Sequence, residues 1–460
     1  MRRSVISRLS AVLVLSLAGV GGAVSAGAAP SLPSATPGAA PGAPATTSGV
    51  ADGTFVSLAP MRMLDTRSTS YLGRPLGAGE IFNLKVNGRG GVPSTGVLAV
   101  VLNLTVTSPS RSGNIVAYPK GAAVPNASSL NFVPGDTRAN LVTVPVSSDG
   151  WVSIRNAVGQ THVIADVQGY YVGSTTTKPA GAVDYFPDEP WRALDTRTAA
   201  DGPALEPQTY TVQSLDYGAD TADISALAVN VTAVGPRARG FLTVWNGDEN
   251  AIPTTSNLNF AAGQTTPNMV IVPVTHRIDT DGTPVIDYAV GNASTGTVNV
   301  LVDVVGVYAV GDGLRFRSAG APKRIVDTRT SVGTTTLGPA STRTVTAPGT
   351  VANASTVALV ANATAVAPTA ATYLTLWPAG VARPSASNLN PARGQTVANM
   401  AMVGLSDLNA FKVFNNAGTT NVIVDVAGRF DISPNLATTP AAFSGSVAPS
   451  ASTAQVAPLR

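Results

Sequence analysis

Residues 97–107 read Val97-Leu98-Ala99-Val100-Val101-Leu102-Asn103-Leu104-Thr105-Val106-Thr107. Leu98, Val100, Leu102, Leu104 and Val106 take alternate positions, with Ala99, Val101, Asn103, Thr105 and Thr107 between them. A period of two sends successive side chains to opposite faces of an extended chain, so this stretch predicts a strand whose first set faces a core. Similar short runs flank it, near residues 55–65, 80–86, 114–119, 129–133, 140–147, 151–156 and 162–172, separated by Gly, Pro, Asn and Ser. No run sustains a helical period. An antiparallel β-sandwich of jelly-roll type is the economical arrangement for these strands, because it closes two sheets over one core.

The pattern occurs three times. Each unit opens on Arg-x-x-Asp-Thr-Arg, at Arg62, Asp65 and Arg67, then Arg192, Asp195 and Arg197, then Arg324, Asp327 and Arg329. Asn-x-Thr with a proline six residues after the Asn follows, beginning at Asn103, Asn230 and Asn362. Paired asparagines come next, Asn131 with Asn140, Asn259 with Asn268, and Asn390 with Asn399. Asp-Val-x-Gly and an aromatic residue close each unit, from Asp166 to Tyr171, Asp303 to Tyr308 and Asp425 to Phe430. Four elements in a fixed order define an internal repeat. The chain therefore reads as all-β, with three tandem sandwich domains over 54–174, 184–310 and 314–432, each of about 120 residues. The second is lengthened at His276–Thr283, whose turn residues predict a longer hairpin. The connectors, 173–184 and 309–314, are short enough for a compact three-lobed body as well as a rod.

Arg2, Arg3 and Arg8 precede an apolar run from Ala11 to Val24 and the small residues Ala26-Gly27-Ala28, so residues 1–28 read as a secretory signal peptide. Residues 29–53 and 433–460 are rich in Pro, Ala, Ser and Thr and read as disordered tethers. The net charge of +3 includes the three leader arginines, which leaves a neutral mature chain without a basic cluster for nucleic acid. No stretch has the length of a membrane-spanning helix, so membrane insertion after leader cleavage is not expected. With Cys 0, stability has to come from burial rather than disulfides.

The matching text Leu64-Asp65-Thr66-Arg67, Ser256-Asn257-Leu258-Asn259-Phe260, Gly394-Gln395 and Val424-Asp425-Val426-Ala427-Gly428 resembles a repeat of secreted actinobacterial proteins, over residues 55 to 432. The resemblance implies a secreted accessory or surface role and transfers no catalytic residues. The third unit departs from it at Pro391, where the others have Phe132 and Phe260, and at Arg429.

Apolar-apolar-Asp-Thr invites comparison with aspartic proteases, but Arg67, Arg197 and Arg329 replace the glycine that would follow. An adjacent guanidinium holds a carboxylate ionised, whereas a protease dyad must share a proton. Two acids and two arginines recur in every unit, so Arg62, Asp65, Arg67 and Asp166, with Arg192, Asp195, Arg197 and Asp303, and Arg324, Asp327, Arg329 and Asp425, read as structural ion pairs. Asn103, Asn131 and Asn140 and their equivalents read as caps for turns and strand ends. His162 and His276 have no counterparts in the other units and supply neither a triad nor a zinc site; no metal and no cofactor is expected. Asp279-Thr280-Asp281-Gly282 begins like a calcium loop but lacks the later acidic ligands.

The candidate binding residues are aromatics on the fourth strand of each unit: Tyr118, then Phe241 and Trp245, then Tyr373 and Trp377. With leucines facing the core, these rings would face outward, where they either pack against the neighbouring unit or a covering loop, or could stack on sugars or anchor a protein. The expected function is a secreted, non-catalytic binding or adhesion protein whose partner is extracellular polysaccharide or a surface protein. A self-associating surface spacer and an accessory module of an extracellular hydrolase system are the alternatives.

Overall fold

The computed structural model describes residues 52–173, 178–198, 201–433 and 452–459. The predicted leader and nearly all of the 29–53 tether lie outside them. In the first unit the strands are β1 (Phe55–Asp65), β2 (Ile81–Lys85), β3 (Val97–Thr107), β4 (Gly113–Pro119), β5 (Leu130–Phe132), β6 (Thr137–Pro145), β7 (Trp151–Asn156) and β8 (His162–Val172). They form two antiparallel sheets, ordered β1-β8-β3-β6 and β2-β7-β4-β5. Successive strands cross between the sheets at every step but β4 to β5 and β8 lies beside β1, which is a jelly roll. Leu102, Leu104 and Val106 meet Ile115, Val152 and Ile154 between the sheets, and this is the core that the alternation on β3 predicted.

The second unit repeats this order. Its inner sheet holds β9 (Asp184–Asp195), β11 (Ile224–Val234), β14 (Thr266–Pro273) and β17 (Asn299–Ala309), ordered β14-β11-β17-β9. Its outer sheet is built on β10 (Thr209–Leu215), β12 (Gly240–Trp245), β13 (Leu258–Phe260) and β16 (Pro284–Asn292). β15 (Thr275–Ile278) pairs with β16 as the lengthened hairpin, fully exposed.

In the third unit, β18 (Leu314–Asp327), β20 (Thr356–Val366), β22 (Val397–Gly404) and β24 (Asn421–Ile432) make the inner sheet. β19 (Ser341–Thr346), β21 (Leu374–Pro378) and β23 (Ala410–Asn415) make an outer sheet of three strands. The fourth is reduced to a bridge between Leu374 and Leu389. Pro391, which stands where Phe132 and Phe260 do, has no amide hydrogen for the ladder.

Each sandwich has its own apolar core, and a further core lies between the three. Ala99, Val101 and Leu141 from the first unit join Ala226, Met269 and Ile271 from the second and Val360, Met400 and Met402 from the third. The face of β3 opposite the predicted core face is thus buried too, so the inner sheets are covered on both sides. At the centre, Phe55 packs on Tyr308 with ring centroids 4.5 Å apart, Tyr185 on Phe430 at 4.3 Å and Phe316 on Tyr171 at 4.1 Å. Each pair joins the first strand of one unit to the last strand of another, so the contacts run in a closed pseudo-threefold cycle. The molecule is the compact three-lobed body rather than the rod.

One expectation is corrected at the end of the chain. Ser452–Pro458, inside the segment read as a disordered tether, forms a strand, β25, antiparallel to β10. β10 is an outer edge whose amide and carbonyl groups otherwise lack a ladder, and such an edge accepts an extended segment of small residues.

Candidate functional site

The recurring charged residues converge on one another in every unit. Arg62 Nε donates to Asp166 at 2.7 Å and its Nη1 to Asp65 at 3.2 Å, while Arg67 Nη2 donates to Asp65 at 2.7 Å. Arg192, Asp303, Asp195 and Arg197 repeat this at 2.5, 2.9 and 2.6 Å, and Arg324, Asp425, Asp327 and Arg329 at 2.9, 3.3 and 2.7 Å. The pairing of β1 with β8 places Arg62 directly opposite Asp166, and the turn after Asp65 folds Arg67 back onto it. Hydrogen bonds from the Arg67, Arg197 and Arg329 side chains hold Asp65, Asp195 and Asp327 below the usual carboxylate range, with Asp195 down to about 2. Burial pushes Asp166, Asp303 and Asp425 up, opposed by the arginine each accepts from. Asp65 therefore stays ionised between two guanidinium groups, the reverse of what a shared-proton dyad requires.

The asparagines do more than the turn capping expected of them. Asn103 Nδ2 donates to the Ser256 carbonyl at 2.7 Å, and its Oδ1 accepts from Asn268 Nδ2 at 3.0 Å, while Asn268 Oδ1 accepts from the Leu141 amide at 3.0 Å. Those bonds tie the first unit to the second. Asn230, Ser387, Asn399 and Met269 repeat the set between the second and third units, at 2.8, 2.9 and 3.1 Å. Asn362, Ser128, Asn140 and Met400 repeat it between the third and the first. Asn131, Asn259 and Asn390 stay within their own units and accept from Ser128, Ser256 and Ser387, fixing the loops whose carbonyls complete the ring. Sequence reading identified these residues but missed the ring, because each bond crosses between units.

Three members of the aromatic row are buried, and for the two tryptophans the packing is of the covering-loop kind. Tyr118, Trp245 and Trp377 are only 2%, 1% and 4% exposed. The segments after β12 and β21 close over the two tryptophans: Trp245 Nε1 donates to the Asp248 carbonyl and Trp377 Nε1 to the Val381 carbonyl, at 3.1 and 3.2 Å. Each indole thus has both its ring and its polar edge satisfied within the chain. Phe241 and Tyr373 remain half-exposed, and Tyr373 leans on Phe414 at 5.9 Å. In the first unit Tyr71 and Phe82 are half-exposed but pack against the core, and Trp151 on β7, which sequence reading did not single out, is half-exposed with Lys120 and Lys85 4.9 and 5.4 Å from its ring.

His162 Nδ1 lies 3.2 Å from Thr66 Oγ1, and His276 is exposed on the β15 hairpin. Among the described residues no three His, Cys, Asp or Glu side chains are grouped to hold a metal, and no helix is long and apolar enough to cross a membrane.

No family model matches the chain, and no curated protein does. It is similar to two solved viral structures, one of Sulfolobus Turreted Icosahedral Virus and one described as the triple jelly roll fold and turret assembly of an archaeal virus. Each is 10% identical over 82% of this chain and 91% of that chain, with TM-scores of 0.16 and 0.15.

Proposed function

We propose that the protein is a secreted, non-catalytic binding and adhesion module that works outside the bacterial cell, with extracellular polysaccharide or a surface protein as its partner. The observation that carries this reading is the use made of the inner sheets. They are buried against one another, which leaves each unit its outer sheet, edges and loops, presented three times about one pseudo-axis. Three weak contacts on a rigid body bind a repetitive surface far more tightly than one, because after the first the others are intramolecular. Half-exposed Trp151, Phe241 and Tyr373 give each unit a ring for such a contact, and Trp151, flanked by Lys85 and Lys120, suits a neutral or acidic sugar. The Asp-Arg sets belong to the scaffold in this reading. Export rests on the leader sequence.

The test is retention on insoluble peptidoglycan and chitin. The leader-free protein should pellet with at least one of them, and Trp151→Ala, Phe241→Ala, Tyr373→Ala together should weaken retention at least about tenfold, the loss expected when linked contacts are removed. Equal retention of the triple variant would remove the rings from the mechanism. A parent protein that pellets with neither, nor with bacterial cells, would favour the structural spacer.

A further inference from the structure

The outer face of the second unit differs from its two counterparts. Asn156, Asn292 and Asn415 are equivalent, since each donates through Nδ2 to loop carbonyls of its own unit. The residue before each is Arg155, Gly291 and Phe414. Gly291 leaves a depression beside Trp245, and Leu459 fills it: a Cβ on Gly291 would come within 3.1 Å of both Leu459 methyl carbons and 3.2 Å of the Trp245 ring. Ala457 and Leu459 pack with Tyr210, Trp245 and Ala289 on this face. The backbone is matched as well, with Tyr210 opposite Ala457, Val212 opposite Gln455, and the Leu459 amide donating to the Gln208 carbonyl at 2.7 Å. An open edge and a side-chain pocket beside it are the two parts of a β-augmentation site.

We infer that the β10 edge and the Gly291 depression form a strand-acceptor site that takes the Ser452–Leu459 segment of a second copy, so that copies exchange this strand. The segment follows the third unit in sequence but docks on the second, and it is separated from β24 by residues 433–451, which hold one aromatic, Phe443, and are otherwise small or polar apart from Leu436 and Val447. The contacts are the same whether donor and acceptor share a chain or not, so the balance between the two is set by concentration. Crowding on a surface therefore drives exchange. The donor of one copy and the acceptor of the next are different patches, so the contact is head-to-tail and can propagate. This is independent of what the outer faces bind.

The absence of cysteine makes a direct test available. Val212 and Gln455 are directly opposite in the strand register, the spacing at which a pair of introduced cysteines can be bridged. Val212→Cys in one chain and Gln455→Cys in another, mixed at high concentration and oxidised, should give a disulfide-linked heterodimer. Adding Gly291→Arg to the first chain, the residue the first unit has there, should cut its yield at least several-fold. A double Val212→Cys, Gln455→Cys chain provides the second reading. If it closes within one chain and the mixture yields no heterodimer, exchange is refuted and the site serves only its own chain. If neither forms, the strand does not dock and the acceptor site itself is wrong.

Discussion

At the scale of single residues, the repeated carboxylates divide into two kinds. Asp195 is held at about 2 against an ordinary 3.8, chiefly by the Arg197 side chain. A carboxyl that binds its proton more weakly when folded stabilises the protein fully above its unfolded pKa, about 4, and loses that contribution as pH falls toward 2. Asp195→Asn should therefore lower the melting temperature at pH 7, and the gap to the parent should close between about pH 4 and 2; a constant gap would assign the loss to packing instead. Asp188, on β9, has the opposite sign. Burial pushes it up to about 6, although Trp191 Nε1 donates to it at 2.9 Å. Its ionisation costs stability increasingly as pH rises from about 4 through 6, so Asp188→Asn, which keeps an acceptor for the indole, should raise the denaturation midpoint at pH 8 and leave it unchanged at pH 4. The clustering of Asp65 with Arg62 and Arg67 was legible because those residues are two and three apart. Asp166 joined them only through repetition, since the same four residues recur in each unit. Nothing local marks Asn103 as the partner of Asn268.

Among the elements, the inner strands explain what alternation alone could not settle. On β3, the run from Ala99 to Val106 is buried on both faces, and a strand covered on both sides reads as nearly continuous apolar sequence. A period of two identifies the face of Leu102 and Leu104 as a core face but carries no sign that the face of Ala99 and Val101 is buried between units as well. The strand positions themselves followed from the period of two and the intervening turn residues, and the jelly-roll order then came from pairings that span the whole unit. Gly169, Gly306 and Gly428, the glycines of the closing motif, have a similar cause. The ring of Phe55, Tyr185 or Phe316 from the first strand of the same unit lies where their Cβ would be, beside the carbonyl of Val56, Phe186 or Arg317. Gly306→Ala should force Tyr185 and its strand aside and cost about 1–3 kcal/mol in chemical denaturation, the usual penalty of overpacking. Gly338, with nothing within 4 Å of its would-be Cβ, is the control: Gly338→Ala should stay within about 0.5 kcal/mol.

For the whole molecule, the three units are joined into a cycle rather than strung in a line. Backbone pairs link Phe55 with Val183, Tyr185 with Leu314, and Phe316 with Gly53, so that each first strand touches the next and the third returns to the first. Buried Asp184 pairs with Arg315 at 3.1 Å across the second of these junctions, and Asp52 with Arg317 across the third. Closure matters because a linear array opens one interface at a time, whereas a ring must break two to release any unit. The six axial rings and the asparagine ring span all three interfaces, so loss of one unit exposes apolar and polar groups on both others. The described body should consequently unfold in one calorimetric transition, with equal van't Hoff and calorimetric enthalpies. Asn140→Ala, Asn268→Ala and Asn399→Ala together remove one bridging amide from each interface and leave the amides of Met400, Leu141 and Met269 without their acceptors. A buried donor left unsatisfied costs about 1–3 kcal/mol, so each interface weakens by that amount while the three sandwich cores stay intact. The triple variant should melt earlier and in more than one step, because its units then open separately. A parent that already melts in several steps would mean that the sandwiches fold independently and that the ring adds contact without coupling.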